Sequence, residues 1–157
     1  MSCAKHAVYP SPMPYMWGDT LSALERAHLV RLLVWGAASV LAGTAILAWL
    51  RVGSRRSVLL HHFAIQTAAW GVTDAAIASS EWARLAVRDT AGATRLDRLL
   101  WLNIGLDAGY VLVGFAIGIV GWKLGRRLGF VGAGIGVVVQ GSGLAVLDLV
   151  LAAQISR

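Results

Sequence analysis

Charged residues, prolines and cysteines are all scarce in this chain of 157 residues. Only 14% of the residues are charged, whereas 57% are hydrophobic, and the mean hydropathy is +0.67. A water-soluble domain carries about 25% charged residues. The composition therefore excludes an ordinary soluble domain and predicts an integral membrane protein.

The sequence contains one cysteine and four histidines, which argues against a metal centre and against a disulfide-stabilised fold. The single cysteine, Cys3, cannot form an intramolecular disulfide. The sequence has no CxxC or HExxH motif, and the adjacent His61 and His62 point about 100° apart on a helix. His28 lies near the opposite end of the predicted helices, so it cannot share a ligand site with them. We expect no metal, no cofactor and no enzymatic activity.

Proline is absent from every long apolar run. The chain has three prolines, Pro10, Pro12 and Pro14, and all of them fall in the N-terminal segment. We expect them to keep that segment extended and outside any helix. Residues 1–28 are thus predicted to form a tail and a short interfacial helix, and residues 29–157 a four-helix transmembrane domain.

Four apolar runs are close to the ~20 residues that a helix needs to cross the hydrocarbon core. The predicted spans are residues 29–50, 58–78, 99–122 and 130–153. The longer connection over residues 79–98 mixes charged side chains with tryptophan and leucine, which is typical of an interfacial amphipathic segment.

A pattern of tryptophan, glycine, two arginines, glutamine and aspartate occurs twice. The first copy is Trp49, Gly53, Arg55, Arg56, Gln66 and Asp74, and the second is Trp122, Gly125, Arg126, Arg127, Gln140 and Asp148. In both copies the aspartate follows the glutamine by eight residues. The sequence therefore predicts an all-α fold, a four-helix transmembrane bundle built from two repeated helical hairpins.

The net charge of +6 comes largely from arginines at the ends of the apolar runs. In that position they face lipid head groups, so we expect a lipid bilayer as partner and no nucleic acid. The two short hairpin loops are basic and contain no acid, which predicts that they are cytoplasmic. The expected location is the bacterial inner (cytoplasmic) membrane.

Small residues recur at spacings that allow helices to approach closely in lipid. They are Ser39, Gly43, Gly105, Gly109, Gly114, Gly118, Gly132, Gly136 and Gly143. These rows predict tight contacts between helices, and they also predict packing against further copies of the chain or against other membrane subunits.

Two groups of polar residues lie within the predicted spans. Gln66 and Gln140 form a midplane polar pair, roughly 14 to 17 Å from the hairpin loops, and are expected to hydrogen-bond across helices. A second group lies roughly 22 to 28 Å from the same loops and is expected to form a polar cluster at the opposite mouth of the bundle. That cluster consists of Asp74, Asp107, Asp148, Asn103 and Arg31.

The carboxylates of this cluster allow two interpretations. A charged side chain costs about 2.5 to 3.5 kcal/mol at the centre of a membrane and less near its surface, so the aspartates should turn inward toward Arg31, Asn103 or water. They could pin helix ends through ion pairs, or one of them could carry a proton. Their depth near the water boundary favours the structural interpretation.

The residues of the third and fourth spans resemble those of a known group of proteins. The run from Asn103 to Tyr110, followed by Gln140, Gly141 and Asp148, is similar to a family of small bacterial four-helix membrane proteins that has no assigned activity. This resemblance implies a fold and a location but no function.

Two functions remain as hypotheses. The first is a non-catalytic accessory or scaffold subunit of a membrane assembly. The second is an oligomeric small transporter or channel component that uses its intramembrane aspartates for proton or cation coupling. The many packing signals and the few reactive groups favour the first.

Overall fold

The computed structural model describes residues 13–155, and this part of the chain contains four α-helices and no β-strand. The helices are α1 (Met13–Val52), α2 (Val58–Trp82), α3 (Thr90–Lys123) and α4 (Leu128–Ile155). Even α2, with 25 residues, is about 37 Å long and exceeds the ~30 Å of a bilayer core. The prediction of an all-α chain with four helices is confirmed.

Three of the four helices, α1, α3 and α4, are apolar enough as well as long enough to cross a membrane. The sequence predicted four spans, and α2 is the helix that is not apolar enough to be counted among the candidate spans. Its hydropathy is lowered by polar residues at several positions, among them His61, His62 and Asp74. Thr67 and Asp74 are nevertheless buried inside the protein, so part of this polarity faces the other helices.

The first helix is continuous from Met13 to Val52. The expected boundary at residue 28 therefore falls inside a helix. The expectation that Pro14 lies outside any helix is wrong, because Pro14 is the second residue of α1. A proline is tolerated in the first turn, where its missing N–H would have no helical partner. Cys3, Pro10 and Pro12 lie outside the described residues.

The helices form two antiparallel hairpins, α1 with α2 and α3 with α4, which meet mainly along α2 and α4. The backbone of helix α4 comes close to all three of the others, whereas over the described residues the backbone of α3 comes close only to that of α4. Over the described residues, no Cα atom of α2 lies within 8 Å of a Cα atom of α3. The bundle is therefore open along one side, between α2 and α3.

Glycine pairs bring the backbones together within each hairpin. A Cβ atom built on Gly36 would lie 2.8 Å from the carbonyl oxygen of Gly71, and one built on Gly114 would lie 2.8 Å from that of Gly134. Only glycine permits such contacts. The two crossings differ in depth, since Gly71 comes 13 residues after the start of α2 (58 to 71) and Gly134 six after the start of α4 (128 to 134).

Not every predicted small-residue contact is present. No atom lies within 4 Å of a Cβ built on Gly105 or Gly109, so the expectation that these two glycines pack inside the bundle is wrong. The reason is angular, because the face of α3 that meets α4 carries Asp107, Gly114 and Gly121, which recur every seven residues. Gly105 and Gly109 lie off that face.

The interior is more polar, and the exterior more apolar, than in a water-soluble protein. The largest side chains that are fully buried are those of Gln140 and Asp74. Large apolar side chains point outward along all four helices; Leu112, for example, is 70% exposed. An apolar outer surface of this extent is suited to contact with lipid.

Candidate functional site

A cavity of about 470 Å³ lies among the four helices, toward the end opposite the short hairpin loops. Its titratable lining includes one histidine and three aspartates, one from each helix: His28 of α1, Asp74 of α2, Asp107 of α3 and Asp148 of α4. Glu25, Glu81, Arg88 and Tyr110 line it as well. We call this space the acidic cavity. Most of its remaining wall is leucine and isoleucine.

Helix geometry explains why the three aspartates meet. Asp74 and Asp148 lie 16 and 20 residues after the starts of α2 and α4 (58 to 74, 128 to 148), and Asp107 lies 16 residues before the end of α3 (107 to 123). At ~1.5 Å per residue these distances correspond to about 24 to 30 Å from the hairpin loops. By this count the three carboxylates lie at one level, and all three line the acidic cavity.

Two of the carboxylates are buried without a partner. Asp74 is only 2% exposed and Asp107 only 5% exposed, and within the described part of the chain the Oδ2 atom of each is buried with no hydrogen-bond partner. An uncompensated carboxylate is costly in apolar surroundings. These two groups are therefore suited to bind a proton or a cation.

The third carboxylate, that of Asp148, contacts a histidine. Its Oδ1 atom lies 3.3 Å from Nε2 of His28, and both side chains are largely buried. The Nδ1 atom of His28 is buried as well, and the backbone of Leu147 lies beside the imidazole. Sequence reasoning missed His28 because it considered histidines as metal ligands and not as partners for a carboxylate at the same level.

Arg31, which the sequence suggested as the basic member of the cluster, does not line the cavity. Its Nη1 atom instead donates to Oε1 of Gln154, at 3.5 Å. Arg31 follows His28 by three residues and so lies about 60° around the helix from it, which directs the guanidinium past the cavity toward the end of α4. Asn103 does line the cavity, but its side chain is largely exposed.

An aromatic pair bounds the cavity on the side of the hairpin loops. The ring centroids of Trp70 and Tyr110 are 5.1 Å apart, at an interplanar angle of 66°. Trp70 precedes Asp74 by four residues and Tyr110 follows Asp107 by three, so both rings lie about one helical turn from the carboxylates. The pair joins α2 to α3 where their backbones are apart.

An ion pair bounds the cavity at the opposite end. Nε of Arg88, in the loop between α2 and α3, donates to Oε1 of Glu25 in α1 at 2.6 Å. Glu25 is buried, and both residues line the cavity. No signal in the sequence links these positions, which are 63 residues apart.

Gln140 lies farther toward the hairpin loops and is fully hydrogen-bonded. Its Oε1 accepts from Nε1 of Trp35 at 2.8 Å, and its Nε2 donates to Oγ of Ser39 at 2.9 Å and to the carbonyl oxygen of Thr67 at 3.5 Å. Gln140 thus connects α4 to α1 and α2. It does not bond to Gln66, whose side chain packs against Gly136.

Within residues 13–155, no three side chains of His, Cys, Asp or Glu are placed to hold a metal ion together. The carboxylates share a cavity but are not arranged as a compact set of ligands.

The apolar exterior, the long helices and the polar cavity define the chain as a helical bundle with several helices fit to cross a membrane. Residues 31–149 match DUF6992, a family of unknown function, and the chain belongs to that family. The match includes all three aspartates but begins after His28. No curated protein and no solved structure matches the chain.

Proposed function

We propose that the protein is a small transporter or channel component of the bacterial inner (cytoplasmic) membrane that couples to protons or cations through the acidic cavity. The observation that carries this proposal is the unpartnered, buried Oδ2 atom on each of Asp74 and Asp107. Carboxylates placed only for stability are expected to have partners, because an unsatisfied buried group is costly.

Gln140 provides an internal comparison for this argument. Its side chain is buried to the same extent as Asp74, yet it has three hydrogen-bond partners. The fold thus provides hydrogen-bond partners for a polar side chain in the interior of the bundle. The carboxylate oxygens left without partners are therefore better explained by an exchangeable ligand than by packing.

All four helices cross the bilayer in this proposal, α2 included. Its polar residues are shielded in part by the other helices, and its length is sufficient. The short hairpin loops are cytoplasmic. Arg55 stacks on Trp49 at 4.4 Å and Arg126 stacks on Trp122 at 5.1 Å, which supports equivalent roles for the two loops at one membrane surface.

The two hairpins are, in this proposal, copies of one ancestral hairpin. The parallel course of α2 and α4 is the arrangement that a repeat about an axis along the membrane normal generates. The unequal depths of the glycine crossings represent divergence between the copies.

A second candidate function is that of a non-catalytic accessory or scaffold subunit. It is favoured by Gly105 and Gly109, two glycines of α3 at which an added Cβ would meet no atom within 4 Å outside the local helix backbone of the described chain. Such positions allow another helix to approach closely, either from a second copy of the chain or from a different membrane subunit. Assembly through this face is compatible with transport, since four helices seldom enclose a pathway alone.

Proton flux tests the preferred function. Vesicles containing the full chain and a trapped pH indicator are subjected to a potassium diffusion potential, and the native protein is compared with Asp74→Asn and Asp107→Asn. We expect flux above that of empty vesicles in the native protein, and at least a tenfold loss in each variant. Asp19→Asn is the control, because Asp19 is exposed at the start of α1.

Native flux equal to that of empty vesicles, for protons and for sodium or potassium ions, would exclude the transport function. Purification in mild detergent addresses the second candidate. Recovery of the native chain in a fixed ratio with another membrane protein, together with absent flux, would support the accessory role.

A further inference from the structure

We infer that the acidic cavity binds an organic amine with an apolar body, which enters sideways through the gap between α2 and α3. This inference rests on the proposed function and specifies the chemical class of its ligand. The observations behind it are the gap between α2 and α3, the side-chain contacts at the two ends of the cavity, and the unpartnered Oδ2 atoms of Asp74 and Asp107.

The opening is lateral. Helices α2 and α3 face each other across the cavity without close backbone contact. Ile77 of α2 and Leu106 of α3 both line the cavity, and each is 50% exposed, so these side chains form its rim. In the membrane orientation proposed above, this rim faces the acyl chains.

Side-chain contacts lie at both ends of the cavity. The Trp70 and Tyr110 rings meet on the side of the hairpin loops, and the Glu25–Arg88 ion pair lies at the other end. A ligand that arrives from the lipid between Ile77 and Leu106 therefore passes these apolar side chains before it meets Asp74 and Asp107. An amphiphilic molecule can cross this apolar rim, whereas a hydrated inorganic ion would lose hydration free energy in crossing it.

The free groups of the cavity fit an ammonium. The Oδ2 atoms of Asp74 and Asp107 are buried acceptors without partners, and a protonated amine donates charge-assisted hydrogen bonds to such oxygens. The rings of Trp70 and Tyr110, one turn away, offer aromatic faces to a cation or to its apolar body. The volume of about 470 Å³ falls within the roughly 300 to 1,000 Å³ of small-molecule sites.

The basic side chains nearby are already engaged. Arg88 is paired with Glu25, Arg31 is directed to Gln154, and His28 contacts Asp148. None of them contacts Asp74 or Asp107 by a hydrogen bond or an ion pair within the residues the structure describes. Asp74 and Asp107 are therefore the two carboxylates that an external cation would neutralise.

Equilibrium dialysis tests the inference with 4-phenylbutylamine as the probe. The full chain in lipid nanodiscs is compared with empty nanodiscs, and 4-phenylbutanol serves as the neutral counterpart of the probe. We expect saturable binding of the amine at one molecule per chain and no saturable binding of the alcohol. The Asp74→Asn/Asp107→Asn double variant should bind the amine at least tenfold more weakly, and Asp19→Asn should bind it like the native chain.

A third variant keeps the carboxylates and obstructs the opening. Ile77→Trp places a larger side chain on the rim, and we expect it to slow the association of radiolabelled 4-phenylbutylamine, followed by rapid filtration, at least fivefold. An unchanged association rate would overturn the lateral route. This variant keeps the test valid if the double variant fails to fold.

Amine binding that is equal in the native chain, the double variant and empty nanodiscs would overturn the inference. If the native chain shows aspartate-dependent proton flux but no saturable amine binding, the assignment of the ligand is wrong and the proposed function stands. If both signals are absent, both are wrong.

Discussion

The Nε2 atom of His28 lies 3.3 Å from Oδ1 of Asp148, and this contact joins the first helix to the last. Among the described residues, it is the only contact between an aspartate of the acidic cavity and a basic side chain. The stability of the α1–α4 pair is therefore expected to depend on it, whereas the buried Oδ2 atoms of Asp74 and Asp107 have no partner among the described residues.

Removal of His28 should destabilise the protein. His28→Ala leaves the carboxylate of Asp148 buried without its partner, which we expect to lower the free energy of unfolding by about 1–3 kcal/mol. Thermal unfolding in detergent measures the change, with the exposed His61→Ala as the control. A double variant that also carries Asp148→Asn should recover part of the loss, and additive losses would contradict a direct interaction.

Two glycines of α3 should differ sharply in their tolerance of a side chain. Gly114→Leu drives a Cβ against the carbonyl oxygen of Gly134 and should cost about 1–3 kcal/mol or more, as overpacking does. Gly109→Leu meets no atom within 4 Å and should unfold close to the native temperature. Equal melting of the two variants in detergent would refute the observed packing of α3.

The unpacked glycine also tests assembly. If the outer face of α3 contacts another copy or another subunit, Gly109→Leu should alter the mass of the particle in size-exclusion chromatography with light scattering. Gly53→Leu is the control, since Gly53 lies in a hairpin loop. An unchanged mass for a native oligomer would show that the interface lies elsewhere.

Gln140 and Gln66 should contribute unequally to stability. Gln140→Leu leaves the Trp35 indole and the Ser39 hydroxyl without their partner, and we expect a loss of about 1–3 kcal/mol. Gln66→Leu removes no side-chain hydrogen bond of the described residues, so its effect should stay below about 1 kcal/mol. The two variants are compared by unfolding in denaturant, and a reversed order would contradict the observed network.

The Glu25–Arg88 pair should control access of water to the cavity. In a Cys3→Ser background, Asp107→Cys provides a thiol inside the cavity. We expect Arg88→Met to increase its rate of labelling by a membrane-impermeant thiol reagent at least threefold. The control is Arg84→Met, which breaks an exposed ion pair with Glu81 at 3.5 Å. Equal rates in both variants would mean that the ion pair does not close this end.

Much of the fold can be predicted from hydropathy and helix geometry. Four long helices follow from four apolar runs, and the shared level of Asp74, Asp107 and Asp148 follows from counting residues along straight helices. What cannot be read from a single sequence is the rotation of each helix. That rotation directs His28 and not Arg31 into the cavity, and it leaves Gly109 outside the contacts while Gly114 lies within them.

The contacts between distant segments were also beyond prediction. Trp35 and Ser39 lie one turn apart on α1 and reach the same glutamine of α4, but their sequence positions indicate only that they share a face. Glu25 and Arg88 belong to segments whose relative placement depends on the whole bundle. Such pairs follow from packing, which a periodic pattern does not encode.

The attachment of α3 along one side has a mechanical consequence. Its backbone lies close to that of α4 at Gly114 and Gly134, and Asp107 lies seven residues, or about 10 Å, from that crossing. A tilt of α3 by roughly 5° about this pivot would displace Asp107 by about 1 Å and Leu100, twice as far along, by about 2 Å. Since no close backbone contact with α2 opposes such a tilt within the described residues, the spacing of α2 and α3 depends on the α3–α4 pair and on side chains such as Trp70 and Tyr110.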